Sequence, residues 1–165
     1  MTQLPGTPNQ LHVSRRQFIG LVWAGALALT AAEGVAALLR FLAPRVSPGA
    51  FGTRINAGKI DDFQVGSITY FSAARFYLAR LDNGFLALYR KCTHLGCVVP
   101  WVEAEHRFNC PCHASIFNKR GEVLAGPAPR PLDLFPVQLE NGEVWVDTSQ
   151  IVSREKFDEA QVTRV

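Results

Sequence analysis

Cysteine and histidine crowd one short stretch of this 165-residue chain, where their types and spacing could hold a metal. The stretch reads Cys92-Thr93-His94-Leu95-Gly96-Cys97, then twelve residues, then Cys110-Pro111-Cys112-His113, and it contains all four cysteines. Cys92 and His94 sit one residue apart on what must be a tight loop, and Cys110 and His113 sit two apart on another. Two thiolates and two imidazoles complete either a tetrahedral zinc site or a two-iron, two-sulfur cluster with two histidines on one iron. Zinc hairpins typically pair like residues closely, as Cys with Cys or His with His. Here each loop offers one of each, so antiparallel loops can aim both thiolates at one iron and both imidazoles at the other. The spacing favours the cluster. Cys97 and Cys112 hold matching places in the two loops, where a disulfide between them would clamp the loops together. Such a bond suits an exported domain and is unusual in the cytosol.

The elements that must position these loops read as antiparallel β. Residues 76–81, Asp82-Asn83-Gly84 and residues 85–89 have the pattern of a hairpin. So do residues 135–139, Glu140-Asn141-Gly142 and residues 144–146, and a third hairpin is expected from Ile116-Phe117 through Gly121 to Val123-Leu124. Residues 53–149 show no helical period with caps, so a mainly β domain is expected there. A tail over 150–165 follows, with helix-friendly polar residues from Val152 onward. A hydrophobic content of 48% with 11 Phe excludes a disordered chain.

Ahead of the β region, residues 1–17 are polar, with Pro5 and Pro8, and read as a tail. From residue 18 to residue 39 only Glu33 interrupts an apolar run. Twenty-two helical residues span roughly 33 Å, against a hydrocarbon core of roughly 30 Å. A transmembrane helix is therefore expected over 18–43. A secretory signal is the alternative, but its apolar core is usually only about 7–15 residues, and no clean A-x-A site follows before Arg40. Glu33 reads as an interfacial or partner-facing carboxylate. Residues 44–52 hold two Pro and two Gly, which end the helix and form either a hinge or a plain spacer. Just before the run, Ser14-Arg15-Arg16-Gln17-Phe18-Ile19 resembles a twin-arginine export signal. That route carries folded, cofactor-loaded proteins, and it implies a cytoplasmic N-terminus with the body outside. Of 17 Lys plus Arg and 14 Asp plus Glu, residues 47–165 carry thirteen each. A neutral body without a basic stripe argues against nucleic-acid binding.

The two boxes, Cys92-Thr93-His94-Leu95-Gly96-Cys97 and Cys110-Pro111-Cys112-His113-Ala114-Ser115-Ile116-Phe117, resemble those of the Rieske iron–sulfur subunits of cytochrome bc complexes. Val98-Val99-Pro100-Trp101 and the short gap between boxes are most similar to the b6f branch. Gly126-Pro127-Ala128-Pro129-Arg130-Pro131 resembles that family's proline loop, which covers the cluster. The resemblance, extending over anchor, linker and head, implies a Rieske-type domain with a cluster-binding subdomain and one 2Fe-2S cluster per chain. It implies Cys92 and Cys110 on the buried iron, and His94 and His113 on the outer iron. It further implies a Cys97–Cys112 disulfide, a Ser115 hydroxyl donating to a bridging sulfur, and Leu95 shielding the site from water. His113 would meet a quinol, menaquinol or plastoquinol-like, and an electron would pass on to a c-type cytochrome beside a cytochrome b-type subunit. The small Rieske subunit of a molybdenum oxidoreductase, such as arsenite oxidase, is the rival reading, and a soluble Rieske ferredoxin is disfavoured by the span and the extra cysteines.

Two residues depart from the family's usual second box: Ala114 stands for Gly, and Phe117 for Tyr. Phe117 cannot donate the hydrogen bond that a Tyr gives to a ligand sulfur, so a lowered potential is expected. His12 and His106 read as solvated, Trp101 and Trp145 as core, Asp61-Asp62 as a turn, and Lys119-Arg120-Gly121 as a basic hairpin turn.

Overall fold

A computed structural model of the chain describes residues 13–43 and 50–165. Most of the polar tail and residues 44–49 of the expected hinge lie outside the described residues. The described parts fall into two units, divided between Arg45 and Val46.

The first unit is one helix, α1 (Arg15–Leu42), 28 residues long with every side chain exposed. It starts three residues before the apolar run. The reason is a capping box: the Gln17 N–H donates to Ser14 Oγ at 3.3 Å and the Ser14 N–H donates to Gln17 Oε1 at 3.0 Å. The twin arginines thus form the helix's first turn. Thr30 Oγ1 donates back to the Ala26 carbonyl at 2.8 Å, so the hydroxyl is satisfied within the helix.

The second unit contains three antiparallel sheets among the described residues. The strands are β1 (Arg54–Lys59), β2 (Ile68–Phe71), β3 (Phe76–Leu81), β4 (Gly84–Tyr89), β5 (Trp101–Val102), β6 (Arg107–Asn109), β7 (Ile116–Phe117), β8 (Val123–Ala125), β9 (Leu134–Phe135), β10 (Val137–Glu140), β11 (Glu143–Asp147) and β12 (Thr163–Arg164). One sheet has the order β1-β11-β10; the second has β12-β4-β3-β2, with β9 also on β4; the third has β5-β6-β7-β8. All three expected hairpins form, as β3–β4, β10–β11 and β7–β8.

The β3–β4 hairpin organises the head because both of its faces are apolar. Side chains alternate across a strand. Phe76, Leu78, Phe85 and Ala87 therefore enter one core with Ile55, Phe135, Val144 and Val146. Tyr77, Ala79, Leu81, Leu86 and Leu88 enter the other, with Cys92, Phe108, Cys110, Phe117 and Leu132. The second core ends at the two loops that carry the Cys and His residues, so burial of Cys92 and Cys110 is part of the packing of the domain.

Residues 150–165 do not form the helix their composition allows. They make one 3-10 turn (Glu159–Gln161) and then strand β12. Val162 is buried in the second core, and β12 pairs with β4. Gly84 accepts that pairing because any Cβ there would strike the Thr163 carbonyl. Burial of Val162 and the free edge of β4 outweigh weak helical propensity.

Candidate metal centre

Two loops of like construction carry the boxes. In the first, between β4 and β5, the Cys92 N–H donates to the Cys97 carbonyl at 2.8 Å. In the second, between β6 and β7, the Cys110 N–H donates to the Ser115 carbonyl, also at 2.8 Å. Each closure spans five residues, and each needs a left-handed residue one place before its end. Gly96 fills that place in one loop at φ 82° and Ala114 in the other at φ 56°. Glycine takes this conformation freely, whereas alanine is strained in it.

The loops are tied by the Cys97–Cys112 disulfide, with Cα atoms 6.6 Å apart. Cys92 and Cys110 remain free thiols and are buried. Burial pushes the Cys92 thiol up; the His94 N–H opposes this, the neighbouring Cys110 adds to it, and the Ser115 hydroxyl opposes it. The imidazoles of His94 and His113 face each other edge-on, with ring centres 4.8 Å apart. His113 is exposed, while His94 Nδ1 is buried without a hydrogen-bond partner. The Cys110 sulfur lies within 4.8 Å of both disulfide sulfurs. Those two sulfurs are spent in their mutual bond, so this trio is not a ligand set.

The proline loop closes a third side. Thr93 Oγ1 donates to the Arg130 carbonyl at 2.6 Å, and the Ala128 N–H donates to Ser115 Oγ at 3.2 Å. Gly126 packs so tightly that a Cβ there would lie 2.5 Å from the Ser115 Cα. Arg130 pairs with Asp133 just beyond the loop, and that contact raises the affinity of the guanidinium for its proton. Ser115 is fully buried, whereas Leu95 is 69% exposed beside His94.

The structure therefore brings together Cys92, His94, Cys110, His113, Ser115 and Leu95, with Cys97 and Cys112 as their clamp. Sequence reasoning missed Thr93 and Asp133, whose partners in the proline loop become visible only in three dimensions. His106 is exposed, and Trp101 packs edge-on against Phe108.

This donor set suits a 2Fe-2S cluster. Two soft thiols lie at the buried side, two borderline imidazoles at the outer side, and a buried ring nitrogen lacks any other partner. An orphaned buried nitrogen of this kind is costly unless something ligates it.

Comparisons with known proteins agree. The model of the Rieske [2Fe-2S] domain matches residues 54–136. The cytochrome b6-f complex iron-sulfur subunit 2 of Nicotiana tabacum (chloroplastic) is 34% identical, over 89% of this chain and 73% of its own. The cytochrome b6-f complex iron-sulfur subunit 2 of Synechocystis sp. is 34% identical, over 90% of this chain and 94% of its own. A solved structure of a hyperthermophilic respiratory Complex III includes a chain 29% identical, covering 76% of this chain and 97% of that one, with a TM-score of 0.48. The buried thiols, the facing imidazoles and the matched residues lead to one conclusion: the chain belongs to the Rieske iron–sulfur family, and its cofactor is a 2Fe-2S cluster.

Proposed function

We propose that this chain is the membrane-anchored electron-transfer subunit of a quinol:cytochrome c-type oxidoreductase. It takes an electron and a proton from quinol and passes the electron to a c-type cytochrome beside a cytochrome b-type subunit. The observation that carries the reading is the exposed imidazole of His113 set against the partly buried His94, with free thiols behind them.

In this reading Cys92 and Cys110 hold the inner iron, and His94 and His113 hold the outer one. When bound, the cluster supplies a one-electron couple at roughly −150 to +300 mV, because neutral imidazoles replace thiolates. His94 binds through the buried Nδ1, the atom that otherwise has no partner. The ring nitrogen of His113 that is not a ligand accepts a hydrogen bond from a quinol hydroxyl and takes its proton. Leu95, exposed beside His94, gives a lipid-soluble reductant an apolar surface and keeps water off the outer ligand. Ser115 orients its hydroxyl by accepting from the Ala128 N–H, leaving its own proton to give to a sulfur. The proline loop excludes water from the third side.

Helix α1 provides a single membrane span, with the N-terminus in the cytoplasm and the head on the opposite face. Its first turn holds Arg15 and Arg16 and no acidic residue. Arginine is poorly placed there for the helix dipole. A basic flank to a span, read as a twin-arginine export signal, accounts for it.

The test is to purify the complex from membranes in mild detergent and add quinol. A copurifying cytochrome b, with quinol-dependent appearance of the cluster's paramagnetic signal, is the expected result. A molybdenum subunit in place of the cytochrome would overturn the reading.

A further inference from the structure

Arg154 lies outside the matched Rieske domain, in a segment whose composition reveals no role, yet it is only 5% exposed. Among the described residues its guanidinium makes no salt bridge to a carboxylate. Nε donates to the Leu132 carbonyl at 2.8 Å, Nη2 donates to the Arg120 carbonyl, and Nη1 donates to Gln161 Oε1 at 2.8 Å. Burial lowers its pKa to about 10, partly offset by Glu122 and Asp133, so it remains charged at neutral pH. A buried charge that spends itself on neutral acceptors gives strong, charge-assisted hydrogen bonds at a high desolvation cost.

The identity of the two carbonyls is informative. Arg120 and Leu132 are the two ends of the excursion that carries β8 and the proline loop. The Leu132 N–H also donates to the Gly121 carbonyl at 2.9 Å, so the ends meet at the base. Arg154 closes that base from outside. A Cβ on Gly121 would lie 2.7 Å from Arg154 Nη2, which leaves no slack in the arrangement. At its far end the same excursion reaches the centre, through Arg130 on Thr93 and Ala128 on Ser115.

We propose that Arg154 is a positioning residue for the cluster: by clamping both ends of residues 120–132 it holds the proline loop against the two boxes. This rests on the cluster lying between those boxes. Outer residues that orient a metal site typically change its affinity about 10–100-fold when lost.

The experiment uses the full chain, cluster-loaded in detergent, as parent, R154M, R154K and T163V. Thr163→Val weakens the hold on the same C-terminal segment at another point, by removing the hydroxyl's hydrogen bond to the Val137 carbonyl. Bleaching of the cluster by an iron chelator, the g-values of the reduced protein and the unfolding temperature are measured for each. R154M is expected to bleach about tenfold faster than the parent and to shift the g-values. R154K, which keeps the charge but cannot reach all three acceptors, should bleach at an intermediate rate. T163V should lower the unfolding temperature while leaving g-values and bleaching as in the parent. Equal bleaching in R154M and T163V, compared at equal distance below each melting point, would overturn the proposal. Should R154M fail to load, R154K decides in the same way against T163V. A parent without any Rieske-type paramagnetic signal would instead sink the cluster reading itself.

Discussion

Phe117 and Ser115 show how two side chains in one box can set opposite demands on the cluster. Both are fully buried, Ser115 with a hydroxyl to offer and Phe117 without one. Hydrogen bonds to sulfur stabilise the more negative, reduced state. Phe117→Tyr should therefore raise the potential, provided the new hydroxyl reaches a ligand sulfur. The shift equals the difference in that bond's strength between the reduced and the oxidised cluster, and a difference of about 1.4 kcal/mol corresponds to about 59 mV for a one-electron couple. Redox titration followed by paramagnetic resonance measures it, and an unchanged or lower potential refutes the argument.

The two box loops and the C-terminal segment show how local rules and distant contacts share the work. Each loop closes on itself through a cysteine N–H and a carbonyl five residues on, so its shape is local. The C-terminal segment is instead launched from the end of β11 by Asp147. The Asp147 carboxylate accepts from the Ser149 hydroxyl at 2.5 Å, the Ser149 N–H at 2.9 Å and the Gln150 amide at 3.0 Å. These contacts, led by the Ser149 hydroxyl and aided by Arg54, hold its pKa below the ordinary value. Because the folded pKa is depressed, the stabilisation is fully present above the unfolded value of about 3.9 and is lost as pH falls through the folded one. Thermal unfolding of parent and Asp147→Asn should therefore differ at neutral pH and converge in acid. A difference that stays constant down to pH 2 would remove Asp147 from the account.

Helix and head divide the labour of anchoring and chemistry. Between Arg16 and Arg40 the helix offers about 35 Å of uncharged length apart from Glu33, enough to cross a bilayer with slight tilt. The head has its own pair of cores, each filled by residues of the head itself. Removing residues 1–46 should release a head that stays in the supernatant after alkaline carbonate extraction and keeps the parent's paramagnetic spectrum. The full chain should pellet with the membranes. A truncated head that loads no cluster would show that the division is wrong.

Much of the centre was legible because its donors fall within 22 consecutive residues and its loops close on themselves. Two of the hairpins were legible too, since the Asn83-Gly84 and Asn141-Gly142 turns between apolar runs act locally. What one dimension hides is contact between distant residues. The pairing of β1 with β11 joins residues about ninety positions apart, and nothing in either strand names its partner. The continuous apolar character of β3 and β4 signals burial on both sides, but not that one side would face the thiols. Arg154 looked like any tail arginine until folding placed two carbonyls 22 and 34 residues away within its reach. Sequence alone named the atoms that could hold a metal, because ligand chemistry resides in residue type and short spacing. Tertiary structure decided how those atoms are shielded and held, because loop closure and burial depend on segments that meet only once the chain has folded.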